Sequence, residues 1–204
     1  RMLEEQGYYR YEISNYARKG YECKHNIGYW KRKEYLGLGL GAASLLFIDT
    51  QTQHKKDERE QMEKASDDSF AINVRCTNIT DLQTYLKVGN EQVESKEKIS
   101  IEKSWKKGQT NFFVMNEKWS EEQTELSQTD QMEEFMFLGL RMMEGVSPEK
   151  FEKLFGRTLQ EVYGEQIDKL EKQKLLKFKE ETGRYALTLR GIDISNQVFV
   201  EFIE

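Results

Sequence analysis

Residues 23–30 read Cys23-Lys24-His25-Asn26-Ile27-Gly28-Tyr29-Trp30, and residues 36–44 read Leu36-Gly37-Leu38-Gly39-Leu40-Gly41-Ala42-Ala43-Ser44. Here a soft thiol, an imidazole, two aromatic rings and a glycine-punctuated apolar run fall close together. Thiolate and neutral imidazole are both good ligands for haem iron. In extended chain, residues two apart point the same way, so Cys23 and His25 would approach a bound plane from one side and could not be its two opposite axial ligands. If the chain turns helical after His25, Tyr29 falls one turn on along the same face, placed to stack on or edge a macrocycle, with Trp30 next to it. Lys24, Lys31, Arg32 and Lys33 lie near enough in sequence to meet propionates. The plainer reading makes His25 an ordinary helix-entry residue beside a core Tyr–Trp pair, and the residues alone leave both open.

In an extended segment, Gly37, Gly39 and Gly41 would share one face and let another backbone or a flat cofactor approach closely. The third glycine comes too early for the G-x-G-x-x-G dinucleotide fingerprint. Tight strand–helix packing explains the same spacing.

Working outward, 204 residues with 37% hydrophobic content suffice for one or two domains with a real core. Charged residues reach 33% and the net charge is −5, which argues against a general polyanion binder. The first 35 residues still carry eight Lys/Arg against five Asp/Glu, a local excess suited to an anionic small ligand. Two cysteines without a signal-like start give no disulfide framework and point to a reducing, cytoplasmic setting. Tyr35 to Ile48 is uncharged and mostly apolar, but its fourteen residues are too few to span a bilayer, so no membrane insertion is expected. Asn78-Ile79-Thr80 is a chance match to a glycosylation acceptor.

Residues 8 to 13 are rich in strand formers and predict a strand after a helix end at Met2 to Gln6. Asp49 to Ser69 reads as a solvated polar insertion, and His54 inside it has no second ligand nearby. Phe70 to Arg75 resumes a strand pattern. Asp81 is expected to cap a short helix that buries Leu82, Tyr85 and Leu86. Gly89 to Gln128 turns polar again, although Trp105, Phe112, Phe113, Val114 and Trp119 offer a local hairpin or core cover. Asp130 with Glu133 resembles a capping box for a helix running to Gly145. Its methionine-rich stripe is read as core. Ser147-Pro148 and Thr158 with Glu161 start two more helices, the second burying Leu159, Val162, Tyr163, Ile167 and Leu170. Leu175–Phe178 and Arg184–Leu189 read as a hairpin, followed by a closing helix through Val198, Phe199, Phe202 and Ile203. Helices plus hairpin suggest a winged helix, yet residues 130–204 hold fifteen acids against eleven bases, which disfavours nucleic acid as a partner. No Ser-His-Asp or Cys-His triad can be assembled.

One order of segments runs the length of the chain: Tyr11-Glu12-Ile13-Ser14-Asn15-Tyr16-Ala17, His25-Asn26-Ile27-Gly28-Tyr29-Trp30, Tyr35-Leu36-Gly37, Gly41-Ala42-Ala43-Ser44, Arg75-Cys76-Thr77-Asn78, Asp81-Leu82-Gln83-Thr84-Tyr85-Leu86, Phe137-Leu138-Gly139-Leu140-Arg141 and Leu187-Thr188-Leu189-Arg190-Gly191. It resembles the C-terminal half of the HemW family, radical-SAM proteins related to oxygen-independent coproporphyrinogen III oxidase (HemN). The His-Asn-x-x-Tyr-Trp element is the pattern associated with the haem-chaperone branch. The resemblance implies an α/β plus α chain: residues 1–88 as the C-terminal part of a partial (β/α) radical-SAM barrel, 89–128 as a variable connector, and 129–204 as a helical, winged-helix-like HemN C-terminal domain. It implies haem binding by His25, the iron ligand, with Cys23 as second candidate and Tyr29 and Trp30 shaping the wall. Acceptor haemoproteins would be the partners. Gly41 and Ala43 are carried over as backbone contacts to S-adenosylmethionine. The family's 4Fe–4S cluster needs closely spaced thiolates. Cys23 and Cys76 cannot recreate that motif, so this chain alone is not expected to cleave S-adenosylmethionine, and a cluster-bearing N-terminal barrel half, missing here, would complete the site. The alternative is a piece of a coproporphyrinogen III oxidase-like radical-SAM dehydrogenase.

Overall fold

The computed structural model describes residues 2–49, 71–94 and 119–203. In chain order its elements are α1 (Met2–Glu5), β1 (Tyr9–Arg10), β2 (Tyr16–Ala17), α2 (Lys24–Trp30), β3 (Ala43–Asp49), β4 (Ala71–Asn78), α3 (Leu82–Glu94), β5 (Ser120–Glu125), α4 (Gln128–Gly139), α5 (Pro148–Phe155), α6 (Leu159–Lys172), β6 (Leu176–Lys179), β7 (Arg184–Leu187), α7 (Leu189–Asp193) and α8 (Ser195–Val200). The chain is a mixture of helix and sheet. It divides into two compact units, Arg1–Lys33 with Gln128–Glu204, and Glu34–Ser127. The polar stretch after Asp49 with His54, and Trp105, Phe112, Phe113 and Val114, lie outside the described residues.

The first unit is built by local signals that agree with its burial. Ser147 caps α5, its hydroxyl accepting from the Lys150 N–H at 3.1 Å, and Pro148 takes the first helical position, where no N–H is needed. Gly156, left-handed at φ 67°, ends that helix. Thr158 and Glu161 close a reciprocal capping box: the Thr158 N–H donates to Glu161 at 2.7 Å and the Glu161 N–H to the Thr158 hydroxyl at 3.2 Å. The helices thus set bury Met136, Leu140, Phe151, Ile167, Leu170, Val198 and Phe202 in one core. β6 and β7 form the expected antiparallel hairpin, Leu176 opposite Leu187.

Several expectations fail here for identifiable reasons. The strand expected over residues 8 to 13 is only the short β1, which pairs antiparallel with β2 and so satisfies its backbone locally. α4 begins at Gln128, so Asp130 lies inside its first turn, and it ends at Gly139 rather than Gly145. A side chain on Gly139 would meet Val146 at 2.5 Å, so the bare backbone lets the returning chain close on the helix end. The closing helix expected through Phe202 and Ile203 is two short helices, α7 and α8, and ends at Val200.

The second unit holds an antiparallel three-stranded sheet in the order β3-β4-β5, with Leu45 opposite Arg75 and Val74 opposite Glu125. β5 comes from the stretch expected to be connector, as does the last part of α3. Asp81 does cap α3, its carboxylate accepting from the Thr84 N–H at 2.8 Å and the Thr84 hydroxyl at 2.6 Å. Leu82 and Leu86, expected in the core, are 55% and 54% exposed. Tyr85 packs edge-on against Trp119, ring centroids 5.0 Å apart. The glycine run is a turn and not an alternating strand, because Gly39 and Gly41 adopt φ 102° and 63°. Asn78 clamps it, its amide donating to the carbonyls of Gly37 at 3.3 Å and Gly39 at 2.8 Å.

Candidate functional site

α2 has seven residues, too few to be stable alone in water. Its N-cap, Cys23, has extended backbone and gives no side-chain cap. Its C-terminus is well defined: the Arg32 N–H donates to the Tyr29 carbonyl at 3.0 Å and the Lys33 N–H to the Gly28 carbonyl at 2.9 Å, with Arg32 left-handed at φ 50°. These are the two bonds of a Schellman stop. That position normally takes glycine, and an arginine there costs on the order of 1 kcal/mol, so a tertiary contact has to hold it.

The contact is an ion pair. Arg32 Nε donates to Glu134 Oε2 at 3.0 Å, with the two side chains 9% and 7% exposed. Beside it, Lys31 Nζ lies 2.8 Å from Glu144, and the guanidinium of Arg141 sits 4.2 Å from the centre of the Trp30 ring. Arg141 Nη2 is 3.9 Å from Oε2 of Glu12, a fully buried carboxylate whose other oxygen accepts from the Ser14 N–H at 3.0 Å. The backbone locks the same two segments, Ile13 N–H to the Arg141 carbonyl at 2.9 Å and Met143 N–H to the Tyr11 carbonyl at 3.1 Å. Three consecutive residues at the end of α2 are thereby fixed to α4 and the turn after it.

The opposite end of α2 carries the residues singled out from sequence. The helix starts two residues earlier than expected, at Lys24, so Cys23 is a cap while His25 lies in the first turn, and the two do not share a strand face. Cys23 and His25 are exposed, and Tyr29 and Trp30 are half-buried. The rings of His25 and Tyr29 meet edge to face, centroids 4.6 Å apart, as their i, i+4 spacing requires. Among the described residues the His25 ring nitrogens make no hydrogen bond. Gly41 and Ala43 belong to the second unit. Both are exposed, and the Gly41 N–H is engaged by the Ile79 carbonyl at 2.9 Å. Glu12, Glu134 and Arg141, which sequence reasoning missed as site residues, act through partners far along the chain, and no local pattern marks such pairings.

A cavity of about 120 Å³ lies beside this anchor, lined by Trp30, Arg32, Phe135, Met142, Val146 and Lys150 among others. It is well below the roughly 300–1,000 Å³ of pockets that enclose small molecules. That volume is too small to enclose a tetrapyrrole. The residues do not fit an iron–sulfur cluster. Cys23 is exposed in the first unit, and Cys76 is buried in the second with its thiol pushed up by burial. Among the described residues no three His, Cys, Asp or Glu side chains group to hold a metal ion.

Residues 126–194 match the family model of the HemN C-terminal domain. The chain is 31% identical over 202 residues to the haem chaperone HemW of Lactococcus lactis, covering 99% of this chain and 39% of that protein. Its similarity to HemW runs along its length. HemW of Bacillus subtilis is 27% identical over 98% of this chain and 40% of its own length. The chain thus spans about two fifths of the length of these relatives. Escherichia coli coproporphyrinogen III oxidase (HemN), a radical-SAM enzyme, shares the fold with a TM-score of 0.55 at 13% identity, over 98% of this chain and 38% of that one. Among the described residues no helix is long and apolar enough to cross a membrane.

Proposed function

We propose that this chain is the haem-binding part of a HemW-like haem chaperone, with His25 supplying an axial ligand or a hydrogen bond to haem and Cys23 as the second candidate. The observation that carries the reading is the paired presentation of His25 and Tyr29: an exposed imidazole edge-on to a tyrosine ring, on a helix held at its other end. Neutral imidazole binds haem iron, and an aromatic one turn away covers part of one porphyrin face. Trp30 closes the apolar wall, and Lys24, exposed beside His25, is placed for a propionate. Haem held on an exposed face by one side chain can leave by ligand exchange to an acceptor haemoprotein.

A cluster-bearing N-terminal barrel half would complete the site, with Gly41 and Ala43 as backbone contacts for S-adenosylmethionine. Residues 1–88 would then close that barrel, and 129–204 would form a winged-helix-like domain serving as an interaction module. No radical step is assigned to this chain, since its two cysteines cannot hold the cluster.

Haem titration of the 204-residue chain and its His25→Ala variant tests the proposal. The unmutated chain should shift the Soret band saturably and His25→Ala should weaken binding about tenfold, the loss of one good ligand contact. Equal affinity and equal spectra in both would remove His25 from the site.

A further inference from the structure

Three of the segments that carry the family resemblance meet at one partly buried cluster, each supplying one member. Glu12 comes from Tyr11–Ala17, Trp30 from His25–Trp30, and Arg141 from Phe137–Arg141. Glu12 is fully buried, Arg141 lies within 3.9 Å of it, and the guanidinium faces the Trp30 ring at 4.2 Å. The function proposed above uses Trp30 as a wall but gives neither charged residue a task. A buried ion pair is weak evidence for stability, because removing two charges from water costs about as much as their attraction returns. Its geometry is more informative: the Arg141 guanidinium lies over the indole, and Glu12 faces that guanidinium as a counter-charge at 3.9 Å, beyond hydrogen-bond reach.

We propose that Arg141, its charge faced by buried Glu12, is the positioning residue of the tetrapyrrole-binding helix, fixing Trp30 and through it the direction in which α2 presents His25. The inference rests on the haem reading and deepens it. α2 has no side-chain cap at Cys23, and its N-terminal residues Lys24 and His25 are exposed. So short a helix takes its direction from whatever grips its other end. Lys31–Glu144 is half-exposed and contributes little to that grip. Arg32–Glu134 holds the residues after the last turn. The Arg141 plane bears on Trp30, a side chain within the helix, and a lysine there would keep the charge opposite Glu12 without a planar group to stack on the indole.

The test is a double-mutant cycle between Arg141 and His25, read by haem affinity and Soret position on the 204-residue chain, with circular dichroism confirming the fold. Arg141→Lys should weaken haem binding about tenfold, within the range of coupled sites, and move the Soret band toward that of His25→Ala. In the His25→Ala background the same change should cost less than about twofold. A merely structural Arg141 would weaken both backgrounds equally, and that additive result overturns the proposal, as does a folded Arg141→Lys protein with unmutated affinity and spectrum. Should Arg141→Lys fail to fold, the cycle is run with Glu12→Gln/Arg141→Met, which leaves neither partner as a lone buried charge. The same outcomes decide it. A Soret band that the unmutated chain never shifts overturns the haem reading and this inference together, whereas a shift with an additive cycle overturns this inference alone.

Discussion

Glu134 and Arg32 approach to 3.0 Å with almost no solvent on either side chain. Truncating one member of such a pair strands the other, so Glu134→Ala should lower stability by about 3–5 kcal/mol. Urea unfolding monitored by circular dichroism measures this, and Glu134→Leu/Arg32→Met, which removes both charges, should recover most of the loss. Gly145 is the second residue with no tolerance. It sits at φ 79°, and an added Cβ would fall 2.0 Å from the Tyr185 carbonyl oxygen. Gly145→Ala should cost on the order of 2 kcal/mol or more, read in the same unfolding experiment. Neither residue announced its role. Gly145 was expected to close a helix, and what it does is let two backbones touch. Arg32 occupies a left-handed stop usually marked by glycine, and its partner is 102 positions away. His25 and Tyr29 were legible as a pair because an i, i+4 contact depends on nothing outside the helix that makes it.

Capping chemistry was the most readable level of the chain. Ser147-Pro148 and Thr158 with Glu161 fall where the pattern places them because each cap is satisfied within four residues. Thr158→Ala should destabilise the first unit by about 1 kcal/mol in thermal or urea unfolding. The Glu161 carboxylate is held below its ordinary value of 4.5, chiefly by the hydrogen bond from the Thr158 N–H. A group depressed on folding contributes fully above its unfolded pKa and loses that contribution as pH falls through the folded one. The stability difference between the unmutated chain and Glu161→Gln should therefore hold steady at neutral pH and shrink as the solution is acidified below 4.5. Pairing between elements was less legible. β1 finds an antiparallel partner, β5 emerges from a stretch read as connector, and α3 exposes Leu82 and Leu86. Each depends on neighbours that periodicity does not specify.

At the scale of the molecule, the first 33 residues join the last 77 to make one unit, with the second unit built from what lies between. Mixed helix and sheet was legible from periodicity and turn residues, but this grouping was not, since it follows from the anchoring of α2 and the pairing of Tyr11 to Ile13 with Arg141 and Met143. Residues 128–204 produced alone should unfold at a lower urea concentration than the full chain, because Glu134 and Arg141 lose Arg32, Glu12 and Trp30. A synthetic peptide of residues 1–33, added in trans, should raise that midpoint in a dose-dependent way. An unchanged midpoint in both measurements would mean that the N-terminal segment contributes nothing to the core beneath it.

The 102-residue gap between Arg32 and Glu134 also sets a clock. A ribosome adding about 5–20 residues per second delivers the arginine roughly 5–20 s before its counter-ion. Throughout that interval the turn that ends α2 has no seat, so a nascent chain cannot fix the direction of α2 until Glu134 has been added.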